Sequence, residues 1–487
     1  MDNSIVIGKF TLESLTNGMY ATCLDLYREY VQNAADSLDD AIENGLLEKK
    51  DSDIRINVNT KDRYISIYDN GMGIKAAEAV NSLLDVGNSK KIKKANRGFR
   101  GIGRLAGLGY CDRLIFTTSF RGERTKTIVE YDANLLKRLL HSSNDKRESM
   151  YDVLNAVTNI STVQEKESLH YFKVELIGVD EKSMLLNTDK VQEYLVQNLP
   201  LDFDKDFKWG PIIKTKIEHY GYSIPTYNVT YLVDGVPEKL YKKYGDSFIS
   251  DRVKKYVKNV EDIEIIPLVD GKKILGILWY ARTDYSGTIL DELVKGIRVR
   301  QGNLLIGNKS TANQYFKEER FNGWLLGELY VVDEMLIPNA RRDDFESTEE
   351  YDTMKLLLNE WSAKISKEIR TISYERNTTA SQKEILDKVD DVEENSLDIE
   401  DCMFTCEEDE VLESIDESES LANNELFDKF RVLLGMKGGN SKYKALNMCN
   451  KVTNEQKQTL EKVFDVLYNI YPKKKAEVIA NDIIANL

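Results

Sequence analysis

Histidine, cysteine and long apolar runs are all scarce in this chain. Only three histidines occur in 487 residues, His141, His170 and His219. The five cysteines are odd in number and scattered, which excludes a disulfide framework and fits a reducing cytoplasm. Cys402 and Cys406 are spaced like half a metal site, but no second pair and no histidine lies near them, so a zinc centre is excluded. The longest apolar stretch, Ile274 to Ala281, is far too short to cross a bilayer. The amino terminus has no basic segment followed by a long apolar run, so no secretory signal and no membrane association are expected. The hydrophobic content of 41% still allows substantial cores, and the length corresponds to about three domains.

Charge is abundant and unevenly placed. The net charge is −15, yet residues 384–420 hold 17 acidic side chains and one lysine, so the rest of the chain is close to neutral. That run has few aromatics and neither proline nor glycine, and it reads as a solvated linker.

Three short pieces carry the chemistry. In the first, Leu24, Tyr27, Val31, Ala34, Leu38 and Ala41 recur at helical spacing, which predicts an amphipathic helix over 19–44. Glu29, Asn33 and Asp36 fall at i, i+4 and i+7 and share one face. Such a trio is either a solvated outer face or the wall of a site. In a site, the Asn33 amide oxygen is a hard donor suited to Mg²⁺, and Glu29 is placed to polarise a water.

The second piece is a pair of alternating runs, Ile54–Val58 and Tyr64–Tyr68, around Lys61-Asp62-Arg63. They predict a hairpin that delivers Asp69 into a turn with Gly71 and Gly73. Asp-Asn-Gly is common turn chemistry. A carboxylate there can also accept the exocyclic amine of adenine. The third piece runs from Lys90 to Arg104, with seven basic residues and no acidic one, and glycines at 98, 101, 103 and 107 follow or interleave with them. It is suited to wrapping phosphates with backbone N–H groups. It is not a Walker A loop, because no Gly-Lys-Ser/Thr follows, and the acidic residue precedes the glycines, unlike a Rossmann fingerprint.

In that order, the three pieces resemble the Bergerat-fold ATPases: gyrase B-type subunits, ninety-kilodalton heat-shock chaperones, histidine kinases and MutL-type repair proteins. Arg28 through Ser37 most resembles the chaperone branch. The resemblance implies an α+β fold: a Bergerat α/β sandwich, a second transducer-like α/β domain, and a small helical carboxy-terminal region. It implies ATP and Mg²⁺ as ligands, Glu29 as general base, Asn33 as metal ligand and Asp69 as adenine contact. By the same match Asp36 belongs to the nucleotide-binding box, Gly71 and Gly73 line the base pocket, and Gly98, Gly101 and Gly103 line the phosphates. The family's later Gly-Thr is missing from Leu169–Val174, so Thr117, or its neighbour Thr118, is expected in its place. Leu336 to Asp344 resembles the loop by which the second domain sends an arginine to the γ-phosphate, Arg342 being preferred over Arg341. The rival reading of that loop is a surface salt-bridge cluster with Asp343 and Asp344. An arginine fits the phosphate role because its planar fork pairs with phosphate oxygens and stays charged.

The expected organisation is an ATP-binding domain at 1–195 with a helical insertion near 131–158. A second α/β domain follows at 225–348, then a long helix at 349–383, the acidic linker at 384–420 and helices at 421–487. Leu356, Leu357, Trp361, Ile365, Ile369 and Ile372 are the expected apolar face of the long helix. Of the functions within the resemblance, a histidine kinase is disfavoured because all three histidines follow the motifs. An ATP-driven clamp, closing as a homodimer on a protein client or partner and possible in bacterial defence or stress, is the main expectation. The alternative is a nucleic-acid-acting ATPase like the microrchidia proteins or topoisomerase B-type subunits, which the basic run and Lys254, Lys255 and Lys258 permit.

Overall fold

The computed structural model describes residues 22–84, 103–141, 149–250 and 256–394, plus Leu460, 462–467 and 483; side chains of the last long helix are described to Arg376. Gly98, Gly101 and the basic residues from Lys90 to Arg100 lie outside the described residues, as do most of the acidic run and of 421–487. The chain divides into two compact units, Met1–Glu394 and Asn395–Leu487. In the second, residues 462–467 are helical, with Leu460 and Phe464 buried.

The fold of the first unit is α+β. Helix α1 (Asp25–Glu43) buries Tyr27, Val31, Ala34 and Leu38 on its apolar side, as its periodicity predicts. Its other flank is buried too, at Asp25, Arg28, Gln32 and Asp36, so this is not a solvated outer face. Strands β1 (Ile54–Asn59) and β2 (Tyr64–Asp69) form the expected hairpin, with Ile54 opposite Asp69. Ile54, Ile56, Val58, Ile65 and Ile67 enter one core with the apolar side of α1. After α2 (Ala76–Leu84) and a 3₁₀ segment (Gly103–Gly109) come β3 (Arg113–Ser119) and β4 (Thr125–Asp132). The insertion is α3 (Ala133–His141) and α4 (Met150–Val157), the latter started by a Ser149–Asp152 capping box. Then β5 (Thr158–Gln164) pairs with β4 at the sheet edge, and β6 (Tyr171–Ile177) inserts between β3 and β2.

Beyond α5 (Thr188–Asn198) and α6 (Trp209–Glu218), the chain crosses between two sheets. Strands β7 (Val229–Val233) and β8 (Val236–Lys239) fall in the range expected of the second domain. They instead extend the first sheet, β7 lying parallel to β1 with Ile56 opposite Tyr231. The sequence pattern identifies strands but not their partners, and this one joins the first sheet because Val229 and Tyr231 complete that core. The first sheet is thus eight-stranded, in the order β5-β4-β3-β6-β2-β1-β7-β8.

Past a small hairpin, β9 (Ser247–Ser250) with β10 (Tyr256–Asn259), the second sheet contains β11 (Asp262–Asp270), β12 (Lys273–Arg282), β13 (Gly296–Gln301), β14 (Leu304–Leu305) and β15 (Leu326–Val331). Its order is β11-β12-β15-β13-β14, with β13 and β15 parallel. Helix α6 packs on this sheet: Ile213 and Ile217 share a core with Trp279 and Tyr330. The chain therefore visits the second layer at α6, returns to the first at β7, and crosses again.

Helix α7 spans Glu349–Glu394, running past the expected end at 383 into the acidic run. No proline or glycine occurs there to stop it. Met354, Leu358, Trp361, Ile365 and Ile369 form its buried face, while Leu356 is 64% exposed. At 3.6 residues per turn only one of three consecutive leucines points squarely inward, and it is Leu358. Among the described residues no helix is long and apolar enough to cross a membrane.

Candidate functional site

Glu29, Asn33 and Ser37 lie one turn apart along α1 and are all partly buried. Eight residues of helix cover about 12 Å of axis, and each end of this row meets a glycine. At the amino-terminal end, a Cβ on Gly103 would lie 2.2 Å from Glu29 Oε2. At the other end, a Cβ on Gly71 would lie 2.2 Å from Ser37 Oγ and 2.7 Å from Ser37 O. Only glycine lets the backbone approach that closely. The Met72 N–H donates to Ser37 O at 3.0 Å and ties the turn to the helix.

Asp69 is buried, and its Oδ1 accepts the Gly71 N–H at 3.0 Å. Asp36 is buried on the same helix flank. Gly73 has φ +65°, and a Cβ there would lie 1.9 Å from the Ser119 carbonyl oxygen. Replacing Gly73 by Ala should therefore cost more than the roughly 1–2 kcal/mol of left-handed strain. Gly122→Ala is the control: φ is +92° there, but nothing lies within 4 Å. Urea unfolding midpoints compare the two; equal losses would show that the Ser119 contact yields freely.

The pairing register decides between the two threonines. Asp69 is opposite Phe172 in β6, and Phe172 is opposite Thr118 in β3, so Asp69 and Thr118 belong to one cross-strand row. Thr117 pairs with Lys173, in the row of Tyr68, on the other face of the sheet. Thr118, not Thr117, therefore shares the row of Asp69. Its Oγ1 accepts the Ile74 N–H at 2.8 Å and donates to Tyr171 O at 3.3 Å. His170 Nδ1 lies 2.7 Å from Gly71 O. Neither His170 nor Ser37 is assigned a role by the sequence analysis, and it is the turn at Gly71 that meets both.

Below the row, Tyr30 anchors the 3₁₀ segment. Its hydroxyl donates to Arg104 O at 2.9 Å and accepts the Gly107 N–H at 3.1 Å. The Arg104 guanidinium reaches Ser82 O. Asp25, in the first turn of α1, accepts from the Tyr194 hydroxyl at 2.8 Å. Burial holds that phenol well above its ordinary range, so it remains the donor. Cys111 is no nucleophile, its thiol being pushed up to about 12 by burial.

The loop from the second sheet arrives at the same end of α1 as Gly103. Arg342 Nε lies 3.6 Å from Glu29 Oε1, both side chains being largely enclosed. Arg28 donates to Arg341 O at 3.3 Å, and its Nε lies 3.9 Å from Glu29 Oε1. Asp343 and Asp344 have other partners: Asn339 Nδ2 donates to Asp343 at 2.6 Å, and the Tyr351 hydroxyl donates to Asp344. Arg342 takes φ +57°, and its carbonyl accepts the Gly307 N–H at 2.7 Å. Glu29, Gly103 and Arg342 thus meet at one end of the row along α1, and Ser37, Gly71 and the turn after Asp69 at the other.

Residues 26–162 match the family model described as histidine kinase-, DNA gyrase B-, and HSP90-like ATPase. No curated protein matches the chain. The matched segment holds α1, the β1–β2 hairpin and the Gly103 segment, and is similar to ATP-binding domains of that superfamily.

Proposed function

We propose that this chain is a Mg-ATP-binding and -hydrolysing conformational clamp of the chaperone-like branch. The observation that carries the reading is the 3.6 Å approach of Arg342 to Glu29. It joins a loop of the second sheet to the helix of the matched domain, at the end where phosphates would sit.

In this reading Asp69 accepts the adenine amine, beside Thr118 and above Gly71 and Gly73. Gly103, with Gly98 and Gly101, cradles the phosphates. Glu29 takes a proton from the water that attacks the γ-phosphorus; the bond to the leaving ADP oxygen breaks and inorganic phosphate departs. Arg342 meets the charge that develops on the transferred phosphoryl oxygens.

Among the described residues no three His, Cys, Asp or Glu side chains converge to cage a cation. The Asn33 amide oxygen is a hard donor of the kind Mg²⁺ takes, the ion accepting one or two protein ligands and completing its shell with phosphates and waters. Asn33 would be the protein ligand. The ion, when bound, neutralises phosphate charge. Closure of two copies on ATP, around a protein client, completes the proposal.

The test is Mg-dependent phosphate release by the purified full chain, with and without duplex DNA at several salt concentrations. ATP turnover abolished by EDTA and indifferent to DNA is expected. Absence of ATP binding would sink the reading. Salt-dependent DNA binding that stimulates turnover would transfer the chain to the nucleic-acid-acting class.

A further inference from the structure

Away from the candidate site, a group of charged side chains is sealed where the two sheets meet. Arg300 on β13 is 2% exposed and Glu328 on β15 is fully buried. Burying two opposite charges is costly unless every donor and acceptor is used. Here the Glu328 carboxylate accepts from Arg300 Nε, from Lys242 Nζ at 2.6 Å and from the Tyr330 hydroxyl. Burial brings Lys242 down to about 7 despite Glu328. Burial also pushes Glu328 up, but Arg300 and then Lys242 outweigh it and hold the carboxyl at about 2. Arg300 bonds one carboxylate oxygen of Glu328 and Lys242 the other.

The rest of the Arg300 fork points outward from the pair. Nη1 donates to Asn303 O at 3.1 Å, and Nη2 donates to Gln197 O at 2.8 Å. Gln197 is in the last turn of α5, the helix whose Tyr194 holds Asp25 in the first turn of α1. Asn303, in the β13–β14 turn at φ +62°, donates to Leu201 O at 3.1 Å and to Pro225 O at 2.7 Å. Both acceptors lie on the segments that cross between the sheets. On the other side, Gln301 donates to Leu336 O at 2.7 Å, and the Gly307 N–H holds Arg342 O. One strand end therefore grips the ATP-side helices with one hand and the arginine loop with the other.

We propose that Arg300 is a positioning residue for hydrolysis: with Glu328 and Asn303 it fixes α5 against the second sheet and so sets where Arg342 stands relative to Glu29. The inference rests on the proposed ATPase reading and adds a residue no nucleotide touches. A catalytic group misplaced by about 1 Å can cost 10²-fold, so the effect should be large although Arg300 is remote from the candidate site.

The variant of choice is R300M/E328M in the full chain. It removes the Arg300–Glu328 pair together, which buried pairs often tolerate, whereas single removal strands the other charge. Lys242, whose charge burial already disfavours, keeps the Tyr330 hydroxyl as partner at 3.0 Å. Turnover should fall roughly tenfold to 10²-fold with ATP affinity unchanged, and should fall no further when Arg342→Ala is added. Amide exchange at Gly307 and at residues 339–344 should quicken. Unchanged turnover, weakened ATP affinity, or an equal loss on the Arg342→Ala background would overturn the inference. If R300M/E328M does not fold, Asn303→Gly keeps the left-handed backbone, removes the bonds to Leu201 and Pro225, and is judged by the same outcomes. A wild-type chain that binds no ATP would remove the proposed function. The strut is then judged on exchange alone, and wild-type protection at Gly307 in the variant would refute it.

Discussion

Asp69→Asn should abolish ATP binding while leaving the fold intact. The carboxylate offers acceptors only, and one of its oxygens already takes the Gly71 N–H at 3.0 Å. An adenine amine brings another donor to the same group. The amide keeps one oxygen for Gly71 and turns an NH₂ toward the base, so donor meets donor in a buried site. That mismatch costs roughly 1–3 kcal/mol, and the charge-assisted bond is lost as well. Isothermal titration of the purified mutant reads the result directly. Wild-type affinity for ATP would refute the assignment of Asp69 and place the base elsewhere in the site.

Glu29→Ala should bind ATP and hydrolyse it about 10²–10⁴-fold more slowly, the usual worth of a positioned general base. Binding should survive because Glu29 addresses the water and not the nucleotide. Glu29 also faces Arg342 at 3.6 Å, so deleting it disturbs two groups at once. Arg342→Ala resolves the ambiguity. If the arginine meets γ-phosphate charge, its loss should also slow turnover in the full chain. Lys90→Ala and Lys91→Ala provide the comparison, since the basic run is the rival source of that cation. Single-turnover phosphate release at saturating ATP ranks the four variants. A full-rate Arg342 mutant beside a crippled lysine mutant would place the phosphate sensor in the basic run and refute the proposed role of Arg342.

Much of the site could be read from local sequence. The α1 face carrying Glu29 and Asn33, the hairpin ending at Asp69, and the turn glycines all follow from periods of 3.6 and 2 and from glycine's freedom of φ. Gly71 and Gly73 are confined by Ser37 and Ser119, partners that no spacing identifies. The choice between Thr117 and Thr118 turned on strand register, which slips every side chain to the opposite face when it shifts by one. Sequence alone left both open, and the pairing puts Thr118 in the row of Asp69 and Phe172.

By itself, the sequence determined that a helix bearing Glu29 and Asn33, a hairpin ending at Asp69 and a glycine turn would form, because amphipathic period and turn chemistry are properties of neighbouring residues. The resemblance of the Leu336 to Asp344 loop singled out Arg341 and Arg342. Only the tertiary structure decided that Arg342 meets Glu29, that the strand at Val229–Val233 belongs to the first sheet, and that Arg300 bonds to the end of α5. Those are contacts between residues remote in the chain. They depend on which apolar faces bury one another and where the crossings run, and no local pattern encodes that choice.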